Sequence, residues 1–250
     1  MRQPSALVTN ALEFAGPPAA EALLEAGFRV AVHDRQFADA RTRASYAEAW
    51  PGRMVLPDQE PTRIVEAAWD ALDGLDVIVS NDAFRAIHGP IETANLEDLR
   101  ATLESLVVFP FALAKAAIPR LKTRRGARMV MITSNRTRLP LRGGAIPDAA
   151  RAALNALVRS ISLELAPYEV AVNAIAPNYL YSETYYPRSV FVDDPKGRAF
   201  IEQVVPVGRL ARPDEIGELV RYLATAQGTF MTGAVIDFSG GWPAAPERPS

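Results

Sequence analysis

Short apolar runs alternate along the chain with longer stretches in which apolar positions recur every three or four residues. The runs Ala6–Thr9, Arg29–His33, Val77–Ser80, Met129–Thr133, Ala171–Ile175 and Ala234–Phe238 are each bounded by turn or polar residues and predict β-strands. Amphipathic stretches at Pro18–Ala26, Pro61–Ala71, Leu96–Lys122, Asp148–Ala166 and Pro213–Ala224 predict helices. Near-continuous apolar strands separated by helices indicate a parallel sheet covered on both faces. Six or seven strand–helix units are too few for a closed barrel of eight. The expectation is an α/β fold, a doubly wound parallel sheet of about seven strands with helices on both faces. It forms one domain over residues 1–242, followed by a Pro-rich extended tail over 243–250.

Ligands of such sheets lie beyond the carboxyl ends of the strands, so the residues just after each strand carry the functional information. After the first strand comes Asn10-Ala11-Leu12-Glu13-Phe14-Ala15-Gly16-Pro17-Pro18. A dinucleotide site needs glycines here, because the backbone must turn tightly and approach a pyrophosphate at the helix N-terminus. Only Gly16 remains; Asn10 and Phe14 stand at the other glycine-like positions, and Phe14 places a ring where phosphate or nicotinamide would lie. Pro17 and Pro18 remove backbone N–H donors. An ordinary ligand-free turn is the alternative reading. Asp34, after the second strand, stands where an acidic residue often binds a ribose, but without the glycines it reads as a surface carboxylate.

Composition narrows the chemistry further. A net charge of −2 gives no electrostatic case for nucleic acid or an anionic membrane. The absence of cysteine excludes thiolate metal sites and cysteine nucleophiles, and two histidines, His33 and His88, are too few for a histidine metal cluster. No metal is expected. The apolar stretch at Ala6–Val8 is too brief for a signal peptide or membrane span, so a cytoplasmic protein is the default expectation.

Further motifs bring in a resemblance. Asp76-Val77-Ile78-Val79-Ser80-Asn81-Asp82-Ala83, Ile132-Thr133-Ser134, Ala174-Ile175-Ala176-Pro177-Asn178 and Gly233 with Gly240-Gly241-Trp242 resemble elements of the short-chain dehydrogenase/reductase superfamily, a Rossmann-like fold. More narrowly, Val8-Thr9-Asn10 with Phe14, Ser80-Asn81-Asp82, Phe109–Leu113 and Pro177-Asn178-Tyr179-Leu180 resemble the halohydrin dehalogenases, a branch without cofactor. The resemblance implies a Ser-Tyr-Arg constellation in which a tyrosine takes the proton of a vicinal haloalcohol and the alkoxide displaces the halide to give an epoxide. It assigns Ser134 to the serine and Arg151 to the arginine that lowers the tyrosine pKa. It places the halide on the backbone amides of Tyr179 and Leu180, with Phe14, Pro177, Asn178 and Tyr186 lining the pocket. The partners so implied are a small-molecule substrate and a halide or similar anion, with no cofactor. Long apolar helices at Leu96–Lys122 and Asp148–Ala166 match those that pair across a two-fold axis in the superfamily, implying a homodimer or homotetramer.

The match breaks at one position. The tyrosine should lie one helical turn before Arg151, where position 147 is proline, and residues 135–150 contain no tyrosine at all. Pro147 suits the first turn of a helix but cannot accept a proton. The dehydrogenase signature Tyr-x-x-x-Lys is absent on both counts. Tyr179, Tyr181, Tyr185 and Tyr186 crowd the loop after Pro177; they read as an apolar pocket wall, with a relocated phenol at Tyr185 or Tyr186 as the alternative. Arg136, Arg138 and Arg142 read as a solvated rim, and Asp82 and Asp148 as structural carboxylates. Ser134 either holds substrate or only caps backbone groups. Three functions stay open: a halohydrin-dehalogenase-like enzyme, a catalytically silent binder of a small molecule or anion, and an atypical NAD(P) oxidoreductase.

Overall fold

The computed structural model describes residues 2–245, so the last part of the expected tail, residues 246–250, lies outside the described residues. Seven strands form one sheet: β1 Ser5–Val8, β2 Arg29–His33, β3 Arg53–Leu56, β4 Val77–Asn81, β5 Arg128–Ile132, β6 Ala171–Pro177 and β7 Val235–Phe238. Their spatial order is β3-β2-β1-β4-β5-β6-β7 and every pair is parallel. The chain reverses its direction of winding between β1 and β4, which opens a crevice at their carboxyl ends.

Alternation along the strands builds two cores. Leu7, Ile78, Met129, Met131 and Val172 face helices Pro61–Leu72, Phe109–Leu121 and Ala145–Leu165. Val8, Val32, Val79, Val130 and Ile175 face helices Gly16–Glu25 and Pro213–Thr225. Because both faces are covered, the central strands are apolar at nearly every position, and that is why they read as continuous runs.

Three elements depart from the sequence expectation. β3 was not anticipated: its apolar run Met54-Val55-Leu56 is only three residues long, Met54 is exposed and Arg53 is the residue buried, against Glu21, so this edge strand gives a weak signal. The stretch Leu96–Lys122 is not one regular helix, since a π-helical turn at Glu104–Val108 separates Leu96–Leu103 from Phe109–Leu121. Its 26 residues Leu96–Leu121 are together long and apolar enough to cross a membrane, but the buried residues Leu113, Ala114, Ala117 and Leu121 pack on the sheet. The helix expected from Asp148 begins at Ala145, so Pro147 is its third residue. Proline costs no intrahelical hydrogen bond there, because the first four N–H groups of a helix have no partner within it.

Candidate active site

Beyond the carboxyl ends of the strands lies a cavity of about 310 Å³. The residues expected for the catalytic pair and the halide pocket line it: Phe14, Ser134, Arg151, Pro177, Asn178, Tyr179, Leu180 and Tyr186. They converge because each ends or follows a strand of the same sheet, or faces it from the helix Ala145–Leu165. Pro147 also lines the cavity. Helices Arg188–Phe191 and Pro195–Val204 close one side, with Phe191 and Phe200 in the wall.

The loop after β1 keeps a glycine-type backbone without the glycines. Asn10 and Phe14 both have left-handed φ, 48° and 55°. Such angles are costly for bulky side chains, so the surrounding structure must hold them. Asn81 does so: its Nδ2 donates to the carbonyls of Asn10 (2.8 Å) and Glu13 (2.9 Å), while Asn10 Nδ2 donates back to the carbonyl of Asn81 (2.7 Å). The Phe14 ring thereby reaches the cavity and packs edge-on against Tyr185, with centroids 4.9 Å apart.

Asp34 is corrected from a surface group to a buried one. Its Oδ2 accepts from the Leu12 N–H (3.0 Å) and its Oδ1 from the Gln36 N–H (2.9 Å), tying the β1 and β2 loops together. Burial, the largest influence, raises its pKa despite those two hydrogen bonds. Both carboxylate oxygens are therefore engaged with protein, and the ring of Phe14 stands at a position that a dinucleotide needs empty. These residues do not fit a nicotinamide dinucleotide.

Ser134 Oγ donates to the carbonyl of Pro177 (3.1 Å) and accepts from the Arg136 N–H (3.2 Å). Arg151 is buried, and its guanidinium donates through Nη1 to the carbonyls of Asp82 (3.0 Å) and Ile132 (3.4 Å). Its Nη2 donates to the phenol oxygen of Tyr185 at 3.0 Å. That contact was missed by the expectation that the tyrosines form an apolar wall, and it singles out Tyr185 from the other three. Tyr181 does not line the cavity and pairs instead with Glu183. Tyr179 and Tyr186 do line it, but burial pushes both phenols up, Tyr186 far above its ordinary range. Tyr186 donates to Asn178 Oδ1 (2.6 Å), which also accepts from the Tyr179 N–H (3.0 Å). One of the two amides implied for a halide is thus occupied by a side chain. The Leu180 N–H has no acceptor among the described residues.

Neither candidate carboxylate reaches the cavity as a free base. Asp148 pairs with Arg136, which also approaches His88 Nε2 (3.4 Å). Asp82 is fully buried and accepts from Ser80 Oγ (2.7 Å); burial pushes its pKa up to about 7, against the opposing pull of Ser80 and Arg151. Phe84 and Trp242, also in the wall, follow β4 and β7 directly. Their position after a strand end was the available signal.

Comparison with known proteins decides the family. The model of a family described as enoyl-(acyl carrier protein) reductase matches residues 16–243. The chain belongs to the short-chain dehydrogenase/reductase superfamily. It is similar in structure to a halohydrin dehalogenase (HheC) bound to ethyl (2S)-oxiran-2-ylacetate, with a TM-score of 0.94 and 34% identity over 98% of this chain and 100% of that one. A second solved structure, a "dehalogenation enzyme", gives a TM-score of 0.92 and 32% identity over 96% and 98%. Among curated relatives, dehydrogenase/reductase SDR family member 4 of Homo sapiens is 27% identical over 185 residues, which span 74% of this chain and 66% of that protein. The superfamily and the seven-stranded Rossmann-like fold agree with the sequence expectation. The relatives include both oxidoreductases and dehalogenation enzymes, so the superfamily leaves the choice of reaction to the site.

Proposed function

We propose that the chain is a cofactor-independent enzyme of the halohydrin dehalogenase type, converting a vicinal haloalcohol into an epoxide and a halide ion, and the reverse. One observation carries the reading. Phe14, in a left-handed conformation at a glycine-like position, fills dinucleotide space with a ring that becomes a wall of a small cavity containing Ser134 and Arg151. That cavity suits a small organic molecule, being apolar in most of its wall with a few converging polar groups.

In this reaction the substrate hydroxyl gives up its proton and its oxygen attacks the adjacent carbon. A C–O bond forms, the C–halogen bond breaks, and the halide leaves with the bonding electron pair. The Leu180 N–H, without an acceptor among the described residues, is a donor for the departing anion, and the Tyr179 N–H joins it if Asn178 turns away. Release of bromide from a simple vicinal bromoalcohol, with epoxide formed in equal amount, is the test. Saturable NADH binding with no halide release would overturn the reading in favour of an oxidoreductase.

A second reading is favoured by Ser134, whose hydroxyl is already bonded to Pro177 and Arg136, and by the proline at position 147. It is a binder of a small molecule or anion that does no chemistry. It requires thermal stabilisation by bromide without turnover.

A further inference from the structure

The proposed reaction needs a group that exchanges a proton with the substrate oxygen, and position 147 offers none. We propose that Tyr185, delivered from the loop after β6, is that group. The inference rests on the dehalogenase reading and concerns the residue that serves it.

The turn at Ser182–Tyr186 explains how the chain places this phenol. The Tyr186 N–H donates to the Ser182 carbonyl (2.9 Å) and the Tyr185 N–H to Ser182 Oγ (3.2 Å), closing a tight reversal. The two consecutive rings leave that turn toward different partners. Tyr186 goes to Asn178, and Tyr185 goes to Arg151. The Phe14 ring, edge-on to Tyr185, fixes its tilt inside the cavity.

The hydrogen bonds around the Tyr185 oxygen match the task. It accepts from Arg151 Nη2 (3.0 Å) and from the Phe84 N–H (3.0 Å), and it donates its proton to the Phe84 carbonyl (2.9 Å). Two donors, one of them cationic, are therefore already in place for an anionic oxygen. Arg151 is otherwise committed to backbone carbonyls, so Tyr185 is its one side-chain partner among the described residues. The other ionisable groups near the cavity are less suited: Tyr186 is held protonated by burial, Asp148 is paired with Arg136, and His88 lies beside that same arginine.

In epoxide opening, an anionic nucleophile bonds to a ring carbon, the C–O bond breaks, and the phenol proton moves from Phe84 to the new alkoxide. The resulting phenolate is held by Arg151 and the Phe84 N–H. In the dehalogenating direction the phenolate takes the substrate hydroxyl proton and passes it to water at the cavity mouth. Tyr185 is a catalytic residue in this scheme and Arg151 orients it.

The test uses the full chain with Tyr185→Phe, measuring bromide release and, separately, thermal stabilisation by bromide. General acid–base groups contribute about 10²–10⁴-fold. The expected result is a fall in kcat of about 100-fold or more, with KM nearly unchanged and bromide stabilisation retained. Adding Pro147→Tyr to Tyr185→Phe should restore turnover, which it would not do if the first change had merely loosened the loop. Turnover of Tyr185→Phe within about threefold of the parent overturns the role and leaves the dehalogenase reading standing. Bromide binding by the parent without turnover also overturns it, and supports the silent binder. Neither binding nor turnover in the parent overturns both.

Discussion

The rings of Phe14 and Tyr185 meet edge to face, with centroids 4.9 Å apart and planes at 76°. One comes from the loop after β1 and the other from the loop after β6, so this contact joins the rewritten phosphate loop to the cover of the cavity. Edge-to-face pairs are worth about 0.5–1.5 kcal/mol beyond the area they bury. Phe14→Ala should destabilise the protein by about 1–2 kcal/mol in urea unfolding. Faster hydrogen exchange over residues 182–187 should accompany it, because Tyr185 loses the ring that fixes its tilt.

Gly16 is the glycine of this loop that cannot be replaced. A Cβ there would lie 2.3 Å from the Asn10 carbonyl oxygen and 2.9 Å from Asn81 Nδ2. The first neighbour is backbone, and it is pinned by the Asn81 carboxamide that bonds it. Gly16→Ala should therefore cost at least the roughly 1–3 kcal/mol of an overpacked site. A denaturation midpoint unchanged from the parent would contradict this.

The contrast between these two positions shows what the sequence disclosed. Strand and helix positions were legible wherever both faces of the sheet are covered, since burial makes period and length visible. β3 escaped because an edge strand with a paired arginine, an exposed methionine and only three apolar residues in a row gives a weak signal. The cavity walls were legible through their place after strand ends and through motif resemblance. The burial of Asp34 and the choice of Tyr185 over Tyr186 were not, because each is defined by partners far along the chain: Leu12 lies 22 residues from Asp34, and Phe84 lies 101 from Tyr185. Local pattern carries no record of such pairings.

Two buried groups set opposing pH dependences. Burial, with help from Arg35, lowers the His33 pKa from 6.5 to about 4, so the unfolded chain binds more protons between those values. Its contribution is present above pH 6.5 and is lost as pH falls toward 4, on the order of 3 kcal/mol in all. Asp82, raised from 3.8 to about 7 by burial, has the opposite sign: its contribution is full below pH 3.8 and is lost as pH rises through 7. The two slopes offset each other between about pH 4 and 6.5. Replacing the stacked imidazole by His33→Phe, which keeps a ring against Phe109, should leave stability falling steadily as pH rises toward 7. Asp82→Asn should turn the slope toward stability rising with pH from 4 to 6.5, with Asp34, also raised by burial, opposing it in part. Unfolding midpoints measured across that range in both variants check the signs.

Pro147→Tyr tests the site most directly. The residue lines the cavity and sits in the first turn of its helix, where the backbone N–H has no intrahelical acceptor. Substitution therefore leaves the helical hydrogen-bond ladder intact and should cost less than about 1 kcal/mol from the backbone. Position 147 is one helical turn before Arg151 on the same face, so a phenol there can also reach the guanidinium. It must compete with Tyr185, which already accepts from Nη2. Bromide release should rise about tenfold in the parent background, less than the roughly 10²–10⁴-fold an unopposed acid–base group supplies, because the two phenols share one arginine. The proportional gain should be larger when Tyr185→Phe has freed the arginine. A folded variant with no gain in either background would mean that the cavity does not bind a haloalcohol within reach of residues 147 and 151.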